Sequence, residues 1–580
     1  MEKKKASRFK EKEPKKKKTK VIVNKFKFIR SIVIVLIALA LVAFILNVAP
    51  DFMMEKEPAD KTNLVINNNN ITNSLKRDLI IKDNIIYISQ PDIANFFDKD
   101  IYYDEKTNLL ITTYDKKLAS IELGTNNITV NGTEKTIAGG VITEGDTRYL
   151  PFSEMLDVYN VEIEKIDETN IITVDSLDRE QIKADATKNL SVKSKTKTLS
   201  RTVDKIKKGE KVIVISTDEE GWSSIRTERG KIGYVKDKYL ANKITVREEL
   251  ESEIGITGKI NMVWDYYSEY VSAPDRSGTT IEGVNVVSPA FFELEESADG
   301  EVLDKVGTSG RNYIEWAKEN GYQVWAMFSN NASDSMIKVT SEIMNDYYLR
   351  KETIDNLIEL AVQYNLDGIN VDFEYMYEED IDLFSRFIIE LQPRLKEVGM
   401  VLSVDVTAPD GSPNWSMCYD RNNIASNCDY IVFMAYDQYG NGSTKAGTTA
   451  GYDWIKVNLN KFLETEDIDA SKIILGLPFF TRIWEENSNG ELIDNDVVDM
   501  ENIDNVIPNS VKKVWKDDVK QNYIEYENSG HTYKMWIEDE ESMRAKLSLI
   551  TENELAGAAF WSKGRESEDI WGVIHEELNK

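Results

Sequence analysis

Eight short apolar runs, separated by amphipathic helical segments, occupy the C-terminal part of this 580-residue chain. The segment after the third run places Ile354, Leu357, Ile358 and Ala361 at positions i, i+3, i+4 and i+7, which is the apolar stripe of a helix that covers a strand. Strands that alternate with helices form parallel sheets, and eight such repeats close into a (β/α)8 barrel. We therefore expect a barrel over residues 255–580. Its predicted strands are 259–264, 283–288, 323–328, 368–374, 400–406, 430–436, 472–478 and 557–561.

The fourth predicted strand has two chemically opposite faces, because side chains alternate along a strand with a period of two. Asn370, Asp372 and Glu374 share one face, so two carboxyl groups follow each other towards the C-terminal end of the strand. In a parallel barrel this end opens at the mouth, where such barrels carry out their chemistry. Burial of neighbouring carboxyl groups raises at least one pKa, and a carboxyl that stays protonated can donate its proton to a leaving group. The opposite face carries Ile369, Val371 and Phe373.

The sequence Asp367-Gly368-x-Asn370-x-Asp372-x-Glu374 resembles the DGxDxDxE signature of glycoside hydrolase family 18, the chitinase-like enzymes. It departs from the signature at one position, because Asn370 stands where the family has the first Asp of DxDxE. In this respect the chain resembles the spore-cortex and peptidoglycan branch of the family, where Asn is often found. The substitution removes one charge from the acidic triad. We expect Asn370 and Asp367 to be substrate-binding residues.

The resemblance implies a role for each polar group of the mouth. Glu374 would protonate the glycosidic oxygen, and Asp372 would hold the acetamido N–H of a substrate whose own N-acetyl oxygen attacks the anomeric carbon. Tyr436 and Asp437 match the end of the family's MxYD segment, so Tyr436 would hydrogen-bond the N-acetyl carbonyl and Asp437 would line the same subsite. Trp561 resembles the family's floor residue, on which a sugar ring stacks. The alternative pairing makes Asp372 a direct nucleophile.

The barrel region contains an insertion between its seventh and eighth predicted strands, at about residues 479–538. Short β segments are predicted within it at 523–526 and 533–537. The insertion resembles the α+β lobe that walls one side of the sugar groove in this family, and we expect the same fold and position here.

Two smaller domains are expected before the barrel. Residues 78–178 repeat a pattern of strands and a short helix at an offset of 62 residues, and they resemble the copper amine oxidase N-terminal-like domain that bacterial envelope proteins use as a stalk. This β-rich α+β segment has neither His nor Cys, so no copper site is expected.

Residues 183–243 alternate strands with Gly-bearing turns and resemble a bacterial SH3 domain, a small β-barrel common on wall-active enzymes. This module is either a wall binder or a spacer.

The N-terminal region is first basic and then apolar. Residues 1–30 carry fourteen Lys and Arg against three Glu, and residues 31–49 form an apolar run long enough to span a bilayer as a helix. We expect an uncleaved transmembrane anchor, with a cleaved signal peptide as the alternative. The positive-inside rule then places the basic tail in the cytoplasm and the catalytic domain outside, facing the wall. Residues 50–77 are polar and are interpreted as a linker.

Charge and the rarer residue types argue against other function classes. The net charge is −29, and because residues 1–30 contribute +11, the remainder carries −40, which would repel nucleic acid. Two histidines, His531 and His575, offer no zinc cluster, and we expect neither a metal nor another cofactor. Cys418 and Cys428 are expected to be buried free thiols, with a disulfide between them as the alternative.

These features together predict a membrane-anchored, wall-facing glycosidase that hydrolyses β-1,4 bonds at N-acetylglucosamine. Peptidoglycan is favoured over chitin because of the SH3-like module and the Asn370 variant. A chitinase is the first alternative. A non-catalytic glycan-binding or envelope scaffold protein is the second, and such a protein would have no need of the acid at Glu374.

Overall fold

The structure is a computed structural model. It describes residues 62–247, 256–268 and 271–580, and a helix at Thr19–Asn47 whose side chains are described over 27–42. The chain divides into two compact units. The first unit contains residues 1–75 and 160–250, and the second contains residues 76–159 and 251–580.

Helix α1 covers Thr19–Asn47 and overlaps the predicted membrane anchor at 31–49. Among the residues that the structure describes, no helix has both the length and the apolar character needed to cross a membrane. The predicted anchor is therefore not confirmed. Most of the predicted basic tail lies outside the described residues.

Short strands joined by tight turns make up residues 62–247. The strands are β1 Asn63–Ile66, β2 Asn69–Asn70, β3 Ile80–Lys82, β4 Ile85–Ser89, β5 Tyr102–Asp104, β6 Leu109–Tyr114, β7 Lys117–Glu122, β8 Asn127–Val130, β9 Thr133–Thr136, β10 Ile142–Glu144, β11 Thr147–Leu150, β12 Val161–Ile166, β13 Ile171–Ser176, β14 Gln181–Ala186, β15 Leu190–Lys193, β16 Thr202–Ile206, β17 Lys211–Thr217, β18 Trp222–Thr227, β19 Ile232–Lys236 and β20 Leu240–Arg247. The helices are α2 Gln90–Phe96 and α3 Leu156–Tyr159.

The first unit begins with a four-stranded sheet in the order β12-β13-β1-β2. Asn67 and Asn68 connect β1 to β2 with φ of 45° and 65°, the left-handed geometry of a type I′ hairpin turn that Asn tolerates well. The linker interpretation of 50–77 is therefore wrong for its described part, because the Asn-rich run is a hairpin turn between paired strands.

Strands β14–β20 form one antiparallel sheet in the order β16-β15-β19-β18-β17-β14-β20. Its apolar side chains form a separate small core, which includes Val192, Ile225 and Val235. Trp222 is also buried, and the Lys236 ammonium lies 4.3 Å from the centre of its ring. A small antiparallel β module is thus present where residues 183–243 predicted one, while its likeness to SH3 domains stays a prediction.

The second unit begins with two antiparallel sheets, in the orders β10-β11-β4-β3 and β5-β6-β7-β8-β9. Helix α2 begins after Ser89, whose hydroxyl accepts a hydrogen bond from the backbone N–H of Asp92, and Pro91 occupies the first turn. Both residues favour a helix start, since Ser satisfies a free N–H and Pro lacks one. The short helix predicted for the first copy of the repeat is therefore present.

Fifteen strands are described over residues 256–580, and eight of them form the barrel. The barrel strands are β21 Ile260–Asp265, β22 Val286–Pro289, β25 Gln323–Ser329, β26 Gly368–Asp372, β27 Val401–Thr407, β28 Tyr430–Met434, β29 Ile473–Pro478 and β35 Gly557–Trp561. They pair in parallel in that order, and β35 returns to β21 to close the barrel. A Cβ on Gly557 would lie 2.0 Å from the Ile260 carbonyl, so the closing strands approach this closely only with glycine there. All eight predicted strands are confirmed.

Helices lie between the barrel strands and cover them. They are α4 Gly307–Glu319, α5 Met336–Asn345, α6 Tyr347–Gln363, α7 Ile381–Glu397, α8 Arg421–Ser426, α9 Tyr452–Asn460, α10 Ile503–Val506, α11 Glu540–Glu552 and α12 Ile570–Leu578. Helix α6 begins after Asp346, whose carboxylate accepts hydrogen bonds from the backbone N–H groups of Tyr348 and Leu349. Its predicted stripe, from Ile354 to Ala361, is buried. A hairpin of β23 Phe292–Leu294 and β24 Val302–Asp304 extends the barrel sheet.

The insertion before the last barrel strand folds as a separate five-stranded antiparallel sheet, in the order β31-β30-β34-β33-β32. Its strands are β30 Phe480–Glu486, β31 Leu492–Asp499, β32 Val514–Lys516, β33 Gln521–Asn528 and β34 His531–Ile537. Trp484 is fully buried in this lobe and donates a hydrogen bond to the Gly447 carbonyl at 2.8 Å. The predicted lobe at 479–538 is therefore confirmed.

Within the second unit, the β5-to-β9 sheet packs on barrel helices through a buried ion pair. Arg350 and Glu390 form two hydrogen bonds, at 2.9 and 3.0 Å, and both side chains are almost completely buried. The Tyr102 hydroxyl donates to Glu390 at 3.0 Å and accepts from Arg350 at 2.7 Å. Tyr347 adds a hydrogen bond to Ser120 at 3.0 Å. These contacts join the sheet to α6 and α7.

We expect Glu390→Ala to lower the free energy of unfolding of the second unit by about 3–5 kcal/mol, because it leaves the buried Arg350 guanidinium without a counter-charge. Chemical denaturation measures this change. Glu342→Ala is the control, since its pair with Lys338 is exposed and contributes about 1 kcal/mol or less. Equal effects of the two substitutions would contradict the role given to the buried pair.

Candidate active site

Polar side chains from three barrel strands meet at the C-terminal mouth of the barrel. Strand β26 ends at Asp372, and Glu374 follows two residues later. Tyr436 and Asp437 follow the end of β28, and Trp561 ends β35. Because the strands are parallel, these ends open on the same side of the barrel. The structure thus brings together five of the seven predicted site residues.

The backbone of Glu374 is held by the buried side chain of Asn330, which follows β25. The Glu374 N–H donates to Asn330 Oδ1 at 3.0 Å, and Asn330 Nδ2 donates to the Glu374 carbonyl at 2.9 Å. The same amide also donates to the Thr340 hydroxyl at 3.2 Å. Tyr375 has φ of 51°, a left-handed conformation that is uncommon for a bulky residue. The chain therefore turns sharply after Glu374, and the neighbouring strand end fixes that turn.

Burial raises the pKa of both carboxyl groups at the end of β26. It raises the pKa of Asp372 to about 6, against the opposing effect of a hydrogen bond with Glu374. Burial also raises the pKa of Glu374 well above its usual range, and the nearby charges of Asp372, Asp405 and Asp437 raise it further. Two carboxyl groups can hydrogen-bond to each other only when one of them carries a proton. We therefore assign that proton to Glu374 near neutral pH.

Asn370 lies inside the barrel, below the two carboxyl groups. Its Oδ1 accepts hydrogen bonds from Trp264 Nε1 at 2.8 Å and from the Ser288 hydroxyl at 3.2 Å. Its Nδ2 donates to the Ser403 hydroxyl at 3.0 Å and to Asp405 Oδ1 at 2.7 Å. The amide is fully buried and all its hydrogen-bonding capacity is used. The predicted substrate contact of Asn370 is therefore wrong, because the side chain has no free atom to offer a sugar.

Tyr436 lies close to the carboxyl groups and stays protonated. Burial raises the pKa of its hydroxyl well above 10, and the negative charges of Glu374 and Asp372 raise it further. Tyr436 is therefore available as a hydrogen-bond donor near neutral pH. The next residue, Asp437, has φ of 54°, and its carboxylate lies 4.0 Å from the Arg482 guanidinium on β30 of the lobe. Burial raises the pKa of Asp437 and Arg482 lowers it.

Aromatic rings line the mouth next to the last strand. Trp561 is half-buried, and its ring centre lies 5.8 Å from Trp264 and 5.6 Å from Tyr266. Trp264 is fully buried, whereas Tyr266 is 54% exposed. Trp325 on β25 belongs to the core, because it is fully buried and stacks on Tyr430 at 5.6 Å. Trp561 and Tyr266 are therefore the rings of this group that a sugar can reach.

Asp367 does not reach the mouth. It precedes β26 at the opposite end of the barrel, where its Oδ2 accepts a hydrogen bond from the Val324 backbone N–H at 2.9 Å. A strand rises about 3.3 Å per residue, so Asp367 lies about 17 Å from Asp372 along the strand. The predicted substrate-binding role of Asp367 is therefore wrong, and its carboxylate instead ties the start of β26 to β25.

Three residues of the site are absent from the sequence-based prediction: Asp405, Asn330 and Arg482. Asp405 carries a recognisable signal, because it alternates with apolar residues on the predicted strand 400–406, as Asp372 does on the strand before it. Asn330 and Arg482 carry none, since their roles depend on where a loop and the lobe meet the barrel mouth.

Among the described residues, no group of three or more His, Cys, Asp or Glu side chains is arranged to hold a metal ion. The expectation that the chain needs no cofactor stays a prediction.

Cys418 and Cys428 are both buried free thiols, as expected. The Cys428 thiol donates to the Tyr430 carbonyl at 3.1 Å.

The barrel with its lobe matches the model of the glycosyl hydrolases family 18 over residues 262–566, which is more than half of the chain. The chain belongs to this family. It is therefore a glycosidase, with Asn370 at the position where the family motif has its first acid. Residues 65–174 match the copper amine oxidase N-terminal domain, which confirms the second resemblance.

Relatives from several bacteria share the barrel region. The uncharacterized glycosylase YvbX of Bacillus subtilis is 26% identical over 301 residues, which cover 50% of this chain and 84% of that protein. The cortical fragment-lytic enzyme of Bacillus subtilis is 22% identical over 299 residues, which cover 50% of this chain and 67% of that enzyme. The crystal structure of a chitinase from Chromobacterium violaceum is 21% identical with a TM-score of 0.47, and it covers 56% of this chain and 99% of its own.

We expect Asn330→Ala to lower the free energy of unfolding by about 1–3 kcal/mol, because it removes both hydrogen-bond partners of the Glu374 backbone. The same substitution should reduce kcat, since Glu374 is no longer held in one position. Denaturation and steady-state kinetics measure the two effects. Ser335→Ala is the control, because Ser335 is exposed in the same connection. Wild-type values for Asn330→Ala in both measurements would contradict the role of this clamp.

Proposed function

We propose that this family 18 enzyme cleaves β-1,4 bonds at N-acetylglucosamine in peptidoglycan by substrate-assisted catalysis with retention of configuration. The observation that carries the proposal is the pair Asp372 and Glu374, which share a proton at the barrel mouth. Glu374 is the general acid, because its environment keeps it protonated near neutral pH and because it lies two residues beyond the end of the strand, at the barrel mouth.

In the first step Glu374 donates its proton to the glycosidic oxygen while the bond from that oxygen to the anomeric carbon breaks. The N-acetyl oxygen of the substrate forms the new bond to the anomeric carbon, which gives an oxazolinium ion. Asp372 accepts the acetamido N–H and its negative charge stabilises this cation. Asp372 is a poor candidate for direct attack, since it addresses the same side of the sugar as Glu374. This geometry argues against the two-carboxylate arrangement of ordinary retaining enzymes.

In the second step the Glu374 carboxylate removes a proton from water, and the water oxygen attacks the anomeric carbon. The bond to the N-acetyl oxygen breaks, so the product keeps the original configuration. Tyr436 donates a hydrogen bond to the N-acetyl carbonyl and holds it in line for attack. Trp561 supports the apolar face of the sugar ring, and Asp437 hydrogen-bonds a sugar hydroxyl in the same subsite.

Two features support peptidoglycan over chitin. One relative is named a cortical fragment-lytic enzyme. The module of β14–β20, residues 181–247, carries seventeen Lys and Arg against eight Asp and Glu, although the chain as a whole has a charge of −29. A basic module is attracted to an anionic polymer such as the bacterial wall. A position of the barrel outside the membrane, facing the wall, is part of this proposal.

The substrate is tested by incubating the full chain with insoluble peptidoglycan and, separately, with chitin, followed by mass spectrometry of the soluble products. We expect muropeptides with N-acetylglucosamine at the reducing end from peptidoglycan, and at least about tenfold slower release from chitin. Faster release from chitin would identify a chitinase. Binding to either polymer without release would support the glycan-binding alternative and overturn the proposed catalysis.

We expect Glu374→Gln to reduce kcat by about 10²- to 10⁴-fold, because the amide cannot donate the proton that the leaving group needs. The wild-type rate should also fall as the pH rises through the pKa of Glu374, since deprotonation removes the acid. Glu378→Gln is the matched control, because Glu378 is exposed four residues further on. Sugar binding, measured by calorimetry, should be retained in both variants. Unchanged turnover in Glu374→Gln would show that another group is the acid.

A further inference from the structure

A buried carboxyl group on strand β27 has no assigned function. Asp405 is 1% exposed, and its Oδ1 accepts the hydrogen bond from Asn370 Nδ2 at 2.7 Å. Within the described residues, its Oδ2 is buried without a hydrogen-bond partner. An ionised buried oxygen that lacks a partner is costly, so such a group usually has a functional reason.

The strand register places Asp405 beside Asp372. Strands β26 and β27 pair in parallel, with Val371 opposite Val404. The next pair along is therefore Asp372 and Asp405, and both side chains point into the barrel because side chains alternate. Paired strands lie about 4.8 Å apart, which is within reach of two carboxyl groups. Asp372 Oδ1 is also buried without a partner in the described part of the chain.

One proton held between the two carboxyl groups would satisfy both unpartnered oxygens. A carboxyl and a carboxylate that share a proton form a short, strong hydrogen bond, whereas two carboxylates at this distance repel each other. Asn370 cannot supply the proton, because its two N–H groups already bond Ser403 and Asp405. The carboxyl that the family motif has at position 370 is therefore replaced, in space, by one from the neighbouring strand.

We propose that Asp405 is a positioning residue that holds a proton shared with Asp372 in the resting enzyme. When substrate binds, Asp372 turns to the acetamido N–H and the proton stays on Asp405. Asp372 is then a full carboxylate opposite the developing oxazolinium ion, and no proton is released to the solvent. On product release Asp372 returns to Asp405. The other titratable groups that interact with Asp405 are Glu374 and Tyr436. This inference rests on the proposed function of the same site.

The test moves the acid of the Asn370–Asp405 pair from position 405 to position 370, so that the amide and the acid exchange places. We expect Asp405→Asn to lower kcat by about 10- to 100-fold with a KM within about threefold of wild type, because substrate is still bound but Asp372 is misplaced. The exchange variant, which combines Asn370→Asp with Asp405→Asn, should have a kcat at least about tenfold higher than that of Asp405→Asn alone, since one acid and one amide are again present. Kinetics on the glycan that the wild type cleaves measure all three proteins.

Wild-type kcat in Asp405→Asn overturns the proposal. A loss of kcat in Asp405→Asn that the exchange variant does not recover, with both proteins folded by circular dichroism, also overturns it. That pattern means that Asp405 serves packing alone. If Asp405→Asn does not fold, the single variant Asn370→Asp is used to test the shared proton. It places two acids in contact, so we expect its Tm to fall more at pH 8 than at pH 5, and an equal fall at both pH values contradicts the shared proton.

A second readout is independent of catalysis. Burial raises the pKa of Asp405 well above its usual range, so the folded state keeps a proton that the unfolded state loses above a pH of about 4. Wild-type stability therefore falls as the pH rises from about 5 to 8, and Asp405→Asn should make this fall smaller. If the wild type cleaves no glycan but this difference appears, the proton on Asp405 is supported and the proposed substrate fails. If the difference is absent, the proposal for Asp405 fails.

Discussion

The Asn370 amide makes four hydrogen bonds inside the barrel, and they connect its own strand β26 to three other barrel strands. Its oxygen accepts from Trp264 on β21 and Ser288 on β22, while its nitrogen donates to Ser403 and Asp405 on β27. A neutral amide has two donors and two acceptor sites, so it can satisfy partners on both sides at once. A carboxylate at this position would leave the Asp405 side without a donor. The arrangement of every acid above Asn370 therefore depends on this one side chain.

Packing on the outer face of the β26 segment stabilises it, and this offsets the unfavourable burial of the carboxyl groups on its inner face. Phe373 stacks on Phe384 and Phe387 with ring centres 5.9 and 5.7 Å apart. The Phe373 carbonyl accepts a hydrogen bond from the buried Tyr419 hydroxyl at 2.7 Å. Each unsatisfied buried carboxyl oxygen costs about 1–3 kcal/mol. Aromatic packing of this kind contributes a comparable amount per side chain, so the strand stays in register while its acids remain poorly solvated.

The sequence predicted the barrel well because its strands are fully buried. Such strands appear as short, almost continuous apolar runs, which are visible without any knowledge of pairing. The signal of Asp405 is weaker than that of Asp372, since Asp405 is the single acid of the apolar run 400–406 and has no acidic neighbour in sequence. Asp367 shows the opposite failure. It belongs to the motif, but it precedes the strand and so lies at the wrong end of the barrel. The hairpin at Asn67 and Asn68 was missed because Asn-rich turns and linkers have the same composition.

The relation between Asn370 and Asp405 explains why a change in the family motif is compatible with an intact site. The two side chains are 2.7 Å apart, a distance that suits an amide and an acid but not two carboxylates. If both positions were acidic, they would hold a second proton or repel each other beneath Asp372. If both were amides, no acid beneath Asp372 could take a proton. The proton proposed to be shared with Asp372 therefore needs one acid across the pair, and the strand that carries this acid matters less than its distance from Asp372.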